Sequence, residues 1–490
     1  MASYEKFIRI GIALDPIHVG TGGARIGRVD LTIVRDPVTQ VPKIPGSSLA
    51  GVYRTYVAMH YEDQRQQQIQ QASQSGQQAS QSGQQASQSG QQASQSGQQA
   101  SQSGQQASQS GQQASQSGQQ ASQSGQQASQ SGQQASQSGQ QFQGRQKPYY
   151  PDCAGLGLDA NRGHCRQPDC PVCTVFGFAS GAGQGGGFAG LAAFTDAHVL
   201  LFPVPTRQGP MWVSCPMVLR LVGLEVKGVE DNAVYLQSGS NNQTNNQTNN
   251  QINLGWLLLP VKTCAQMNTI TSQLQKSWGI PDYICNRLAL VPDRLFAHIV
   301  NSNLEVRTSV SIDPATGAAE EGALFSYEAL PRGTVLVWEI IAKNPAHFKI
   351  GGTPITLGAA QAPTAPAGAA QAPTASAGAA QAPTAPAGAA QAPTAPAGAT
   401  QAPTASAGAA QASTVSAVAN PADVHDVTKQ AHPYLEHLGI GGMGTRGMGR
   451  VKVIHANQSP SNQTSNQTVQ CNSAAAGQTT SSTSQGGGQP

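Results

Sequence analysis

Residues 17–54 read IHVGTGGARIGRVDLTIVRDPVTQVPKIPGSSLAGVYR. The stretch holds His18, glycines at 20, 22, 23 and 27, and the lone acid Asp30. Val29, Leu31 and Ile33 then alternate with Asp30, Thr32 and Val34, which predicts a strand with Asp30 opposite its apolar face. Asp36-Pro37-Val38-Thr39 reads as a turn. Ser47 or Ser48 can cap a helix whose apolar positions Leu49, Val52, Tyr53 and Tyr56 follow helical spacing. Polar, glycine-bearing and basic residues dominate and aliphatics are sparse. Such a segment suits a working surface better than a core.

Working outward, Ile8, Ile10, Ile12 and Leu14 alternate ahead of it and predict a first strand. Glu5, Lys6 and Arg9 break that segment's apolar character, so it does not read as a signal peptide. Strands are expected at Leu191–Phe202, Met211–Val218, Leu304–Ile312 and Thr334–Ile341. A helix over Ala422–Leu438, interrupted near Pro433, stops at Gly439, and Arg450–Ile454 closes as a strand. This is an α+β pattern.

Four tracts fall outside it: the QQASQSG repeat (66–144), an NNQT tract (241–251), a GAAQAPTAPA repeat (358–417) and the tail (459–490). None carries a charge, and Gln, Ser, Gly and Ala bury too little apolar surface to offset chain entropy, so all four are expected to be disordered. The heptad period of the first tract has no apolar seam, which excludes a coiled coil. Segments 1–65, 145–357 and 418–458, about 310 residues, are then expected to form one domain with insertions. The formal net charge of +3 excludes a blanket of positive charge, so nucleic-acid binding would need local patches. Apolar runs such as Trp256–Leu259 are too short to span a membrane. A cytoplasmic protein with reduced cysteines is the expectation.

Cys153, Cys165, Cys170 and Cys173 crowd together, with His164 as a further candidate ligand. Cys170-Pro-Val-Cys173 is the spacing that lets two thiolates reach one tetrahedral ion, so a structural zinc site stapling this loop is expected. Cys215, Cys264, Cys285 and Cys471 are scattered and read as free buried thiols. Near the other end of the chain, Gly439–Arg450 contains a literal G-x-G-x-x-G at Gly442, Gly444 and Gly447. It follows a helix and precedes a strand, the reverse of a dinucleotide fold, and no Lys-Ser/Thr completes a P-loop. What remains is a backbone-rich loop, with Gly449, carrying Arg446, Arg450 and Lys452, which suits close approach to phosphates. Spacing alone gives Asp30 and His18 no catalytic partner; neither a Ser-His-Asp order nor HExxH is present.

Taken together, His18-Val-Gly20-Thr-Gly22, Val29-Asp30, Arg35-Asp36-Pro37 and Ile44-Pro-Gly-Ser47-Ser48-Leu49 with Arg54 resemble the N-terminal signature of the CRISPR-associated RAMP superfamily, and the glycine loop before the last strand resembles its hallmark. Cys170–Gly177, Thr195–Ala197, Phe202–Pro205, Trp212–Pro216 and Gly322–Phe325 with Leu330-Pro331 are similar to the backbone subunit of type III-B (Cmr) effector complexes. The resemblance implies a ferredoxin-like (RRM-like) core in which the first and last strands are neighbours. It implies copies of the subunit polymerising along a CRISPR guide RNA, beside other Cmr subunits and away from any membrane. It also implies cleavage of paired target RNA at regular intervals by Asp30 with a divalent metal such as Mg. His18, Gly20, Gly22, Ser47, Ser48, Arg54 and the glycine loop (Gly442, Gly444, Arg446, Gly447, Gly449, Arg450, Lys452) would contact RNA. A non-catalytic scaffold, a type III-A backbone subunit and a guide-processing RAMP endonuclease remain open alternatives.

Overall fold

Tyr4–Ala13 forms strand β1, buried from Phe7 to Ala13 on both of its faces, which places it in the middle of a sheet. The computed structural model describes residues 2–22, 29–104, 147–155, 163–179, 186–237, 250–264, 266–320, 323–357, 419–454 and 467–471. In chain order the strands are β2 (Lys43–Ile44), β3 (Ala192–Phe194), β4 (Ala197–Val204), β5 (Met211–Ser214), β6 (Leu224–Lys227), β7 (Val234–Gln237), β8 (Gln251–Leu254) and β9 (Leu257–Cys264). There follow β10 (Leu288–Leu290), β11 (Glu305–Ser309), β12 (Phe325–Ala329), β13 (Val335–Lys343), β14 (Lys349–Ile350), β15 (Thr353–Pro354), β16 (Val451–Ile454) and β17 (Gln467–Gln470).

The main sheet runs β16-β1-β13-β4-β5-β10-β7-β9-β8, with β2 added on β4 and β3 on β13. Its first four strands are mutually antiparallel. The first and last strands of the predicted core are thus direct neighbours, Ile12 opposite Lys452. Helix α1 (Gly46–Gly104) lies in the connection from β1 to β4. Two helices, Pro421–Lys429 and His432–His437, connect β13 to β16, and Asn420 with Asp423 caps the first reciprocally. These helices meet β1 and α1: the Phe7 ring stacks on His425 at 3.9 Å, and Tyr56 stacks on Tyr434 at 5.7 Å. Arg9, buried on the Phe7 face of β1, bonds His425 and the Ile8 carbonyl, and burial pushes its pKa down. Ile10, Tyr53, Leu200, Phe202 and Ile340 are almost fully buried, and each such side chain is worth roughly 1.5–3 kcal/mol.

Several expectations need correction. Val29–Arg35 is not a regular strand; it makes isolated bridges, Gly20 to Ile33, Leu31 to Tyr327 and Arg35 to Pro42. Neither Ser47 nor Ser48 caps α1. The Gly46 amide donates to Asp196 Oδ1 at 2.8 Å, and Lys43 Nζ holds the other oxygen of Asp196 at 2.6 Å. A Cβ on Gly46 would stand 2.4 Å from the Phe194 carbonyl, so the helix can start this close to the strand only with glycine. Within the QQASQSG tract, residues 66–104 continue α1 as helix, where no regular structure was expected. The buried first turns nucleate the helix, Gln and Ala propagate it, and Ser73, Ser75 and Ser89 hydroxyls fold back on carbonyls four residues earlier. The rest of that tract, the alanine-proline repeat and nearly all of the NNQT tract lie outside the described residues.

The tail also departs from expectation. Gln467–Gln470 adds to β6 as a parallel strand, and Cys471 forms a disulfide with Cys264 across 207 residues. The expectation of reduced cysteines does not hold for this pair, because β17 brings the two together; Cys215 and Cys285 are buried and free, as expected. Among the described residues no helix is long and apolar enough to cross a membrane.

Candidate functional site

The segment after β1 and the glycine loop before β16 run side by side. The Leu14 amide donates to the Arg450 carbonyl (2.8 Å), Gly449 to Pro16 (2.9 Å), and Gly442 to His18 (2.8 Å). Gly441, at φ +92°, makes the contact possible, since a Cβ there would lie 2.3 Å from the His18 oxygen. Tyr56 on α1 donates its hydroxyl to the Gly439 carbonyl at 2.5 Å and pins the loop's start. His18 is buried; its Nδ1–H donates to the Glu328 carbonyl at 2.6 Å, leaving Nε2 beside Gly20.

The third wall is β12, which the sequence reading did not predict as a strand. The Leu31 amide donates to the Ser326 carbonyl (3.1 Å) and Glu328 donates back to Leu31 (3.0 Å). Asp30 Oδ2 accepts both the Ser326 amide (2.7 Å) and the Ser326 hydroxyl (2.9 Å), bonds that hold its carboxyl below the usual carboxylate range. Glu328 Oε2 takes the Arg35 guanidinium at 2.8 Å and the Ile33 amide at 3.3 Å, and Arg35 reaches on to Asn301 at 2.9 Å. Arg446 from the glycine loop sits 5.2 Å over the Phe325 ring. Tyr327, Ala329 and Met448 form a small buried cluster, with Leu31, Phe325 and Met443 packed against it. His18 and Asp30 from one end of the sequence and Arg446 from the other therefore flank one strand.

Other expected contacts are arranged differently. Arg450 forks onto Asp15 at 2.5 and 3.2 Å, and this bond lowers the Asp15 pKa. Lys452 lies 3.7 Å from Glu436. The amides of Gly442, Arg446, Gly447 and Gly449 already serve carbonyls within the protein, so the loop is not an open ring of donors. Gly444 and Arg446 stand exposed at its tip. Gly22 is exposed, with open space around it. Ser47 is exposed and Ser48 half-buried on the first turn of α1. Arg54 is turned away: its guanidinium binds the Phe176 carbonyl and that of Gly177 (3.0 Å), at the end of the short helix Pro171–Phe176.

That helix carries the cysteine knuckle. The Sγ atoms of Cys153, Cys165, Cys170 and Cys173 all lie within 4.8 Å of one another, with Cys165 and Cys173 3.7 Å apart. A zinc tetrathiolate with bonds of about 2.3 Å has sulfur–sulfur edges of about 3.8 Å, so the set fits a tetrahedral cation after a small contraction. His164 Nδ1 stands 3.9 Å from Cys173 Sγ, a neighbour outside this four-sulfur set. Burial pushes the Cys170 thiol up, and the Cys153 and Cys165 sulfurs push up that of Cys173. A bound divalent cation reverses such shifts by favouring thiolates.

Comparison with known proteins adds the decisive observation: the family model of the RAMP superfamily matches residues 12–349. The chain belongs to the RAMP superfamily. This RAMP protein is 25% identical over 192 residues to the CRISPR system Cmr endoribonuclease Cmr4 of Pyrococcus furiosus, across 34% of its own length and 65% of the relative's. It is 45% identical over 61 residues to the CRISPR system Cms endoribonuclease Csm3 of Enterococcus italicus, across 12% of its own length and 28% of the relative's. The matches thus span less than two thirds of either relative. Among solved structures it is similar to a type III-B Cmr-beta complex bound to cognate target RNA (TM-score 0.38, 13% identity, 70% of this chain and 86% of that one). It is also similar to oligomeric Cmr4 from P. furiosus (TM-score 0.33, 13% identity, 70% and 82%).

A divalent cation at Asp30 fits less well than one at the cysteines. Among the described residues the cysteine set is the one group of three or more ligands close enough to hold an ion. Glu328, close by in sequence to Ser326, is taken by Arg35 and Ile33.

Proposed function

We propose that this RAMP protein is an RNA-binding backbone subunit of a type III-B CRISPR effector complex, and that Asp30 cuts the paired target RNA. The β16-β1-β13-β4 sheet with its two helical connections is read as a ferredoxin-like core. Copies of the chain would line a guide RNA in the cytoplasm, beside other complex subunits, with specificity supplied by guide–target pairing. One observation carries the reading: the loop after β1 and the glycine loop run side by side, and both meet β12, whose Ser326 holds Asp30. The zinc reading of the four cysteines is structural; when bound, the ion would cross-link residues 153–173.

At the cleavage point a ribose 2′-hydroxyl attacks the adjacent phosphorus in line and loses its proton to water, while the 5′-oxygen leaves and takes a proton from water, giving a 2′,3′-cyclic phosphate and a 5′-hydroxyl. A carboxylate held ionised by two hydrogen bonds is a weak base but a good acceptor, so Asp30 would orient the attacking hydroxyl more than strip its proton. Arg446 would lie along the phosphates. Among the described residues no group of three or more metal ligands surrounds Asp30.

The specific rival is a binding scaffold without cleavage. It is favoured by the ordinary capping duty that Asp30 performs for Ser326. The test is the complex assembled with guide and target RNA, plus magnesium, comparing wild type with Asp30→Ala. An evenly spaced product ladder lost in the variant, with RNA still bound, supports cleavage by Asp30. A ladder unchanged in the variant removes the assignment, and no ladder from wild type leaves the scaffold.

A further inference from the structure

Ser326 is the second residue of β12, and it is joined to Asp30 in a closed ring of hydrogen bonds. Its amide and hydroxyl converge on Oδ2 at 2.7 and 2.9 Å, and the Asp30 amide donates back to the hydroxyl oxygen at 3.3 Å. A serine hydroxyl has one proton to give and lone pairs to receive, and here it does both with the same residue. Among the described residues, no other residue donates a hydrogen bond to Oδ1. The carboxylate is therefore gripped by one oxygen and presents the other.

The main-chain docking of this segment does not need the hydroxyl. Leu31 exchanges backbone bonds with Ser326 and Glu328 of β12, and the Ile33 amide donates to the Glu328 carboxylate. Losing the hydroxyl would leave the segment in register while freeing the carboxylate to rotate about its remaining amide bond. We propose that Ser326 is a positioning residue, which turns Asp30 so that Oδ1 faces the RNA backbone at the scissile step; this rests on the reading of Asp30 as the cleaving residue. Among the described residues, the charged and titratable groups on the surrounding elements are His18, Arg35, Tyr327, Glu328 and Arg446, and none of these hydrogen-bonds to Asp30. Among the described residues, the serine hydroxyl is thus the side-chain donor to this carboxylate.

The test uses the assembled complex with guide and target RNA. Ser326→Ala is expected to slow single-turnover cleavage about tenfold with target affinity unchanged, and to move the acidic limb of the rate–pH profile upward. Ser326→Thr keeps a hydroxyl and is expected to cleave near the wild-type rate. Ser326→Val has nearly the shape of threonine without the hydroxyl, and is expected to behave as alanine does. Guide binding and thermal unfolding of each variant report on folding, and the threonine–valine difference holds even if alanine proves unstable. Equal rates and identical pH profiles for threonine, valine and wild type, with Asp30→Ala inactive, would overturn the role of Ser326 and leave Asp30 standing. Cleavage unchanged in Asp30→Ala would overturn both.

Discussion

The molecule has two clusters that are rich in glycine or cysteine and poor in aliphatics, and they are held together by different means. The cysteine cluster draws its ligands from residues 153–173 and closes on sulfur. The Asp30 cluster draws on residues 14–35, 325–329 and 439–450 and closes mainly on backbone hydrogen bonds. The first would be a local staple once a cation is bound. The second is an assembly of segments that each depend on the others' positions. A staple fails when one ligand is removed, whereas the assembly weakens by degrees.

That contrast can be broken most sharply at Cys170. Cys170→Ser is expected to cost about 3 kcal/mol and to abolish stoichiometric zinc in the purified protein; calorimetry and metal analysis read both. Wild-type stability in that variant would mean that the thiols pack without a cation. The assembly comes next. Gly441→Ala places a Cβ 2.3 Å from the His18 oxygen in left-handed backbone, and is expected to cost about 2 kcal/mol and weaken guide binding. Glu328→Gln keeps the shape but weakens the Arg35 bond, with about 1–2 kcal/mol expected from urea unfolding.

The smallest effect concerns Asp15. Its pKa is depressed in the fold by Arg450, so the pair stabilises above the unfolded carboxylate value of about 3.9 and the contribution is lost as pH falls through the folded pKa. Because the pair is exposed, Asp15→Asn is expected to cost a few tenths of a kcal/mol at neutral pH, and nothing below that window. A large effect at low pH would mean that Asp15 acts through something other than its charge.

The same contrast governs what the sequence allowed. The cysteine set was legible because its members lie within one short segment at a spacing that coordination chemistry dictates. The pairing of β1 with β16 was legible through resemblance, and alternation predicted the first of the two strands. Ser326 was not legible: it sits 296 residues from Asp30, and a serine in a strand carries no signal of its own. Asp196 took the capping place expected of Ser47 or Ser48 for the same reason, since a cap supplied from another element leaves no local pattern. Arg54 and Arg450 were read as RNA contacts because charge is visible in sequence and its partners within the fold are not. Val29–Arg35 alternates as a strand would, yet it finds isolated bridges to Gly20, Tyr327 and Pro42 instead of a ladder.

The disulfide between Cys264 and Cys471 spans the alanine-proline repeat in sequence. A protease cutting anywhere in 358–418 would therefore leave both pieces in one covalent molecule. The nicked chain would run as a single band until a reductant split it, and would keep β16 beside β1 after the backbone between them had been severed.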